Sequence, residues 1–225
     1  DWSSDVCSSD LANMYEFSIL QWILVINWSW ICGCMISLNA TNPGRMPDRS
    51  AYYRDNSVKK QLMLDVNLFG SNITTKYNKT YLPRTFCDTC KFNRPLRVHH
   101  CRKCDYCVKR FDHHCDWIGN CVGEYNKKIF YVFVTLTTLT SMVAAFVTGW
   151  TIVIIVTRGE SLATPLLFIT FFATGTISYY LSKLWVFHTK AIIHNQTTYE
   201  VIRYKDMNLG NPFDKGMLHN IIRFF

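Results

Sequence analysis

Three long apolar runs alternate with polar stretches along the chain, and their lengths set the architecture before any single residue's chemistry does. The first run is Phe17 to Leu38, interrupted by Gln21, Asn27 and a few small residues; the second is Ile129 to Val156; the third is Leu166 to Phe187. About 20 consecutive apolar residues cross a bilayer as a helix, and each run is long enough. Lys183 lies near the end of the third run, close enough to snorkel. A soluble protein with buried helices does not fit, because three such runs in 225 residues leave little polar helix to cover them. The pattern predicts an α-helical multi-pass membrane protein with transmembrane helices in 12–40, 129–156 and 166–187. Between them lie a long polar segment, 41–128, and a short link, 157–165, with a polar tail at 188–225.

Charge orients these helices. The chain carries a formal +8, unevenly spread. Thr41 to Lys128 holds seventeen Lys and Arg against eight Asp and Glu, whereas the link has only Arg158 and Glu160. The tail adds five basic and three acidic residues. Short loops rich in Lys and Arg stay cytosolic, so the long segment and the tail face the cytosol and the link faces the lumen or exterior. On this topology the sequons at Asn39, Asn72, Asn78 and Asn195 lie on the cytosolic side or at the membrane edge and go unused. Cys32 and Cys34 read as small apolar helix residues. The first eleven residues, Asp1 to Leu11, have no helical or strand period; they back-translate in frame to a common short-read sequencing adapter and read as a non-native scar.

The long cytosolic segment contains the chemistry. Cys87 to Cys121 holds seven of the ten cysteines and four of the seven histidines. Zinc takes four tetrahedral N/S ligands from such pairs as Cys87-x2-Cys90 and Cys101-x2-Cys104-x2-Cys107, with His99, His100, His113 and His114 nearby. The cytosol keeps these thiols reduced and free to bind metal. Two zinc sites need eight ligands, and the stretch offers eleven candidates. Asp112-His113-His114-Cys115 combines a thiol, an imidazole to take its proton and a carboxylate to orient the imidazole, the grouping expected where a thiol is left for catalysis.

This block resembles the cysteine-rich domain of the DHHC protein S-acyltransferases. The resemblance rests on Asp112 to Cys115, on Arg94, Pro95, Arg97, His100 and Cys101 as RPxRxxHC, and on Gly119 to Gly123 as GNCVG. It extends to Asn42-Pro43-Gly44, which is similar to the family's Asp-Pro-Gly motif with Asn for Asp. It continues at Thr197-Thr198-Tyr199-Glu200, the TTxE motif, and at Asn211 to Phe225, the C-terminal motif with Asn211 and Asn220. Thr197 with Glu200 also reads as an ordinary capping box. The tail is closest to the subgroup with N-terminal ankyrin repeats. The family's usual four spans imply that one span, and any such repeats, precede this sequence.

The resemblance implies two structural zincs in interleaved Cys3His sites, Cys87, Cys90, His100 and Cys107 in one, Cys101, Cys104, His114 and Cys121 in the other. It implies Cys115 as nucleophile, His113 as base and Asp112 as the group that orients His113, with His99 spare. The acyl donor is then a long-chain acyl-CoA such as palmitoyl-CoA. The acceptors are accessible cysteines of cytosolic or membrane proteins, and no nucleic acid partner is implied. The location is an endomembrane, Golgi or ER, with the plasma membrane as the alternative. Thr197, Thr198, Glu200, Asn211 and Asn220 are implied to support the active-site region. Arg94, Arg97, Lys127 and Lys128 are candidates for holding CoA phosphates, a charge that positive-inside topology explains equally well.

Asp116 departs from the family's usual proline, and a carboxylate there is expected to raise the pKa of Cys115. Along the second run, Thr137, Thr140, Ser141, Ala144 and Thr148 form one helix face of small side chains. That face either admits a neighbouring helix or, at Thr140 and Ala144, lines a slot for the fatty chain. The rival to an acyltransferase is a non-catalytic zinc-containing membrane scaffold, which has no use for Asp112, His113 and Cys115 together. A zinc transporter does not fit, because no span carries the His, Asp or Glu pathway residues expected of one.

Overall fold

The computed structural model describes residues 25–47, 86–159, 164–206, 211 and 213–225. The adapter-like stretch, the start of the first apolar run, residues 48–85 with Asn72 and Asn78, and residues 160–163 of the link lie outside the described residues. In chain order the elements are α1 (Val25–Ala40), three strand pairs, α2 (Lys127–Thr157), α3 (Thr164–Ile193), α4 (Thr198–Asp206) and α5 (Met217–Phe224). The strands are β1 (Phe86–Cys87), β2 (Phe92–Asn93), β3 (His99–Cys101), β4 (Tyr106–Val108), β5 (His113–Cys115) and β6 (Asn120–Val122).

Two helices, α2 and α3, are long and apolar enough to cross a membrane. Their large apolar side chains, among them Phe146, Trp150, Ile169 and Phe172, stand exposed. A helix apolar all round needs protein or lipid about it, and here no protein covers those faces among the described residues. Both helices overrun the apolar runs that predicted them. The third run ends at Phe187, but α3 continues to Ile193 and stops at a left-handed residue, Asn195 at φ 50°. There the Gln196 amide reaches Ala191 O at 2.7 Å and the Asn195 amide reaches Ile192 O at 3.0 Å, the Schellman pattern of helix ends. Hydropathy marks where side chains meet lipid; the backbone stops where a cap satisfies its carbonyls.

The chain divides into two compact units, one of α1 up to Ile36 with Val132–Lys183, the other of Ser37–Tyr131 with Leu184–Phe225. In the first, α2 and α3 pack closely at Gly149, where an added methyl would sit 2.9 Å from the Phe171 ring. The second unit holds all the strands.

By sequence, residues 41–128 read as a polar loop around a metal knot. The described part is a set of three antiparallel hairpins built to one plan. Cys87 pairs with Phe92, Cys101 with Tyr106 and Cys115 with Asn120, each closing the same six-residue turn. The fifth residue of each turn is left-handed: Lys91 at φ 57°, Asp105 at 56° and Gly119 at 62°. Cys87, Cys101 and Cys115 recur every fourteen residues. The strands are only two or three residues long, too short to be stable alone.

The segment after α1 lies along the second hairpin. Asn42 Oδ1 accepts the Gly44 and Arg45 amides at 2.9 and 2.7 Å, and the Met46 amide donates to Cys107 O at 2.8 Å. Because the side chain only accepts, Asn serves where the family has Asp. Asn120 caps the end of α1 with its amide, donating to Leu38 O and Thr41 O at 2.9 Å each. Gly123 lies against this junction: a methyl there would come within 2.3 Å of Pro43 O and 2.5 Å of Val108 Cγ1.

That contact yields a test of the packing. Gly123→Ala is expected to destabilise the protein by about 1–3 kcal/mol through overpacking. Gly175→Ala, a helical site with nothing within 4 Å, is expected to be neutral or to stabilise by up to about 1 kcal/mol. Thermal melts in neutral detergent would separate the two, and equal melting temperatures would contradict the junction.

Candidate active site and metal centres

The hairpin plan places the metal ligands. In each group two thiols come from one turn, and a histidine and a third thiol come from the next hairpin. Cys87 and Cys90 of the first turn meet His100 and Cys107, which face each other across β3 and β4. Cys101 and Cys104 of the second turn meet His114 and Cys121, which face each other across β5 and β6. Within each group the ligand atoms all lie within 4.8 Å of one another. His100 Nδ1 is 3.4 Å from Cys90 Sγ and 3.9 Å from Cys107 Sγ; His114 Nδ1 is 3.2 Å from Cys104 Sγ and 3.7 Å from Cys121 Sγ. A tetrahedral zinc with ordinary bond lengths has ligand–ligand edges of about 3.5–3.8 Å, so the donors fit such an ion. Burial first, and neighbouring thiols second, hold Cys107 and Cys121 above the ordinary thiol range; a cation is what would let them ionise together. The outer Nε2 atoms face carboxylates, Asp105 at 3.6 Å from His100 and Asp116 at 3.4 Å from His114.

In the third turn Cys115 takes the place that Cys87 and Cys101 hold in theirs. Where those turns have Cys90 and Cys104, the third has Ile118, which is buried. Cys115 is thus in neither metal group. The amides of Trp117 and Ile118 donate to its sulfur, as those of Thr89 and Cys90 do to Cys87. Successive side chains of a strand alternate faces. In β5 this turns His114 to the metal group and puts His113 and Cys115 together on the opposite face, where each shifts the other's proton affinity.

Asp112, fully buried, completes the arrangement. Its Oδ1 is 2.8 Å from His113 Nδ1 and also accepts the Thr198 hydroxyl. Its Oδ2 takes Lys127 Nζ at 2.6 Å and the Thr198 amide at 3.2 Å. Burial alone would raise the Asp112 carboxyl, but the Lys127 ammonium, with His113, holds it well below the usual carboxylate range. Burial would lower His113, but its hydrogen bonds to Asp112 and Cys115 push it up to about 9. For Cys115, burial raises the thiol and is outweighed by the His113 hydrogen bond and the two amides, leaving it lowered. The His113 ring meets Phe130 edge-on at 5.3 Å and lies 5.9 Å from the ring of His188.

The expectation for Asp116 needs correction. Asp116 was expected to raise the Cys115 thiol. Its carboxylate instead turns outward to Lys103 Nζ at 2.5 Å, and the Cys115 thiol is lowered. Of the candidates for CoA phosphates, three make contacts within the protein. Lys127 holds Asp112, and Arg97 forms a two-pronged pair with Glu200, both contacts at 2.7 Å. Lys128 Nζ donates to Phe225 O at 3.0 Å. His99 stacks on Tyr199 with ring centres 3.9 Å apart, and burial holds it down to about 3, so it is a neutral packing residue.

The supporting residues gather around the same unit. Thr197 and Glu200 form the reciprocal capping box, Thr197 N to Glu200 Oε2 at 2.8 Å and Glu200 N to Thr197 Oγ1 at 3.2 Å. Glu200 thereby caps α4 and anchors Arg97 at once. Asn211 bonds His194 O, and Asn220 donates to Ile193 O at 2.7 Å, fixing the tail to the end of α3. Sequence reasoning missed Lys127 as the partner of Asp112, because a lysine at a helix start looks like topology. It also missed His188, and Asn195, which joins Arg97 and Arg110 through Oδ1 at 3.2 and 2.9 Å. In the first unit, Thr140 Oγ1 lies 2.7 Å from Leu136 O and 3.1 Å from Asn27 Oδ1 of α1, a contact of helix packing; the Ala144 carbonyl accepts Thr148 Oγ1 at 2.7 Å.

The sequence signature described as DHHC palmitoyltransferase matches residues 80–205. The chain is 37% identical over 168 residues to probable protein S-acyltransferase 7 of Arabidopsis thaliana, covering 72% of this chain and 36% of that protein. Against probable protein S-acyltransferase 1 of the same plant it is 34% identical over 205 residues, 83% of this chain and 58% of the relative. Palmitoyltransferase ZDHHC18 of Mus musculus is 32% identical over 204 residues, 80% of this chain and 50% of that protein. The chain therefore spans from about a third to somewhat over half of these relatives.

The ion pair at the centre of the site generates its own test. Lys127→Met leaves Asp112 buried without its cation and is expected to cost about 3–5 kcal/mol. Adding Asp112→Asn should recover part of that loss, because the second change removes the unpaired charge. Melting temperatures of the two single variants and the double variant measure the coupling; strict additivity would show that the pair does not interact.

Proposed function

The chain belongs to the DHHC palmitoyltransferase family, and on that footing we propose that it is a protein S-acyltransferase working through an S-acyl-cysteine intermediate on Cys115. The observation that carries this reading is the alternation in β5, which pairs His113 with Cys115 on one face while His114 serves the metal group on the other. His113 Nδ1 is held by Asp112, so the other ring nitrogen is the one available to exchange a proton. The Cys115 sulfur gives its proton to His113 and attacks the thioester carbonyl of an acyl-CoA. The bond from the carbonyl carbon to the CoA sulfur breaks, and His113 returns the proton to the leaving CoA thiolate. A substrate cysteine then yields its proton to His113 and attacks the acyl-Cys115 carbonyl, and the freed Cys115 sulfur regains that proton. One thioester is exchanged for another at each step, so no separate energy source is needed.

In this reading zinc in each Cys3His group is structural, its four positions filled by protein, and it holds the hairpins rather than polarising a substrate. Asp112 orients His113 and is itself fixed by Lys127 and Thr198. Glu200, Asn211 and Asn220 are positioning residues that hold α4, Arg97 and the tail in place. Thr140 and Ala144 remain our candidates for the wall of the fatty-chain slot. The setting is a multi-pass membrane protein of the endomembrane system with the hairpin unit on the cytosolic face, and protein cysteines near that face are the acceptors. Exclusion of a pure scaffold rests on the hydrogen-bonded Asp112–His113–Cys115 set, which metal binding does not require.

Incubated with a palmitoyl-CoA analogue, the protein is expected to acquire a label that hydroxylamine removes, and Cys115→Ser to acquire none. His113→Ala should label about 10²–10⁴-fold more slowly, the usual worth of a positioned base; unchanged labelling would remove His113 from the mechanism.

Metal content gives a second test. The purified protein is expected to hold two zinc ions per chain by elemental analysis. Cys115→Ser should keep both, while Cys104→Ser should lose zinc and melt at lower temperature. Zinc loss in Cys115→Ser would place the thiol in a metal site and overturn the assignment.

A further inference from the structure

Behind the ion pair of Lys127 and Asp112 lies a recess that the acyl-transfer reading does not use. Among the residues lining it are Arg110, Lys127, Asn195, Gln196, Asn220 and Arg223. Three of these are cations and three are amide side chains; among its described lining residues none is acidic.

One of the three cations is matched by an anion; Arg110 and Arg223 make no ion pair among the described residues. Lys127 is spent on Asp112 and on Gln196 O, at 2.6 and 3.1 Å. Arg110 gives one guanidinium nitrogen to Asn195 Oδ1 at 2.9 Å, while its buried Nε has no hydrogen-bond partner among the described residues. Arg223 makes no hydrogen bond or ion pair among the described residues. Glu200, the first acid to act on Arg110, is already held at both oxygens by Arg97. Burial, followed by repulsion from Arg97 and Arg223, outweighs the attraction of Glu200 and Glu124 and lowers Arg110 to about 10. A buried guanidinium N–H with no acceptor is costly and uncommon, and its natural complement is an oxyanion.

The helix that supplies Arg223 points to the source of that oxyanion. α5 buries Asn220 and Phe224 and presents Met217, Leu218, Ile222 and the following Phe225 to the outside, each more than 60% exposed. Leu218, Ile222 and Phe225 fall on one helical ridge. Water is a poor solvent for such a ridge, and an amphipathic helix with a basic residue beside its apolar face is the form that lies in a lipid–water interface. α5 is also fastened to the first turn of α2, a helix long enough to cross a membrane. Tyr131 meets Phe224 and Phe225 edge-on, at 5.9 and 6.3 Å, and Lys128 bonds the Phe225 carbonyl.

We propose that this recess binds the phosphate of an anionic phospholipid headgroup, with Arg110 and Arg223 as its cationic ligands and the apolar ridge of α5 alongside the lipid's chains. Arg110 offers the fixed, inward donor, and Arg223, unpartnered and exposed, closes on the phosphate from the solvent side. The amide side chains of Asn195 and Asn220 are engaged with Phe213 O and Ile193 O, so they shape the recess rather than serve as its main donors. A neutral zwitterionic headgroup carries a choline cation into the same cluster and is disfavoured. The inference is independent of the acyl-transfer reading, because binding is read without turnover.

The test uses the full chain in a neutral detergent, titrated with dioctanoyl phosphatidic acid, dioctanoyl phosphatidylcholine or inorganic phosphate, with native mass spectrometry and thermal shift as readouts. Phosphatidic acid is expected to bind one per chain and raise the melting temperature, with phosphatidylcholine at least tenfold weaker. Inorganic phosphate, lacking the apolar contact, should also be at least tenfold weaker than phosphatidic acid. Arg223→Gln removes one charge-assisted contact and should weaken phosphatidic acid by about tenfold or more, and it should fold because Arg223 supports nothing else. Leu218→Ser should weaken phosphatidic acid and leave inorganic phosphate unchanged. Wild-type affinity in Arg223→Gln would overturn the site. Equal affinity for phosphate and phosphatidic acid would overturn the lipid assignment, and equal binding of phosphatidylcholine would overturn the anion requirement.

Discussion

A carboxylate taken fully out of water must be matched by donors and a cation, or it will protonate or unfold its surroundings. Asp112 is matched by His113, Lys127 and Thr198, which come from β5, the start of α2 and the start of α4. Those requirements tie three otherwise separate stretches of chain to a single atom pair. The hairpins supply the histidine, a long apolar helix supplies the ammonium and the tail supplies the hydroxyl and amide. The TTxE motif has its physical meaning here. Thr197 and Glu200 cap the helix and hold Arg97, and the cap leaves Thr198 facing the acid.

The metal groups impose a second constraint of the same kind. Strands of two or three residues have little cohesion of their own, and the second hairpin contributes ligands to both groups. It therefore cannot shift register without breaking both. The third hairpin is held by His114 and Cys121 on one face, which fixes the opposite face to the accuracy of a pleated strand. Rigidity at the active thiol is thus obtained without a large apolar core, from a cluster of small buried side chains around Cys101, Val108 and Cys121.

Much of this could be read from residue spacing, for a physical reason. Metal ligands and apolar spans are dictated by local sequence: a turn sets Cys-x2-Cys, and bilayer thickness sets the length of a run. The eight ligands gather in the two groups that the family resemblance implied. What escaped the sequence was long-range. Lys127 finds Asp112 and Arg97 finds Glu200 across intervals that no period announces; the sequence alone offers them only as candidates for CoA phosphates or as topology charge. The effect of Asp116 was misjudged for the same reason, since adjacency in sequence said nothing about its turn toward Lys103. The hairpins went unseen because strands this short carry no alternation; only the fourteen-residue recurrence of Cys87, Cys101 and Cys115 encodes them.

The recurrence also bears on how one sulfur is singled out among seven that are crowded into thirty-five residues. His113, two residues before Cys115, lowers its thiol, and the turn supplies a second distinction. Its turn has isoleucine where the other two have a second cysteine, and no fourth hairpin follows in the repeat to supply a histidine and another thiol. Selectivity is therefore a matter of bookkeeping: every competing thiol is assigned, and one is left over. Stripping the ions would do more than loosen the hairpins. It would release two vicinal dithiols and two further sulfurs in the same neighbourhood, each chemically able to accept the acyl group or to close a disulfide. In the proposed reading, bound zinc would thus guard the identity of the nucleophile as well as its position.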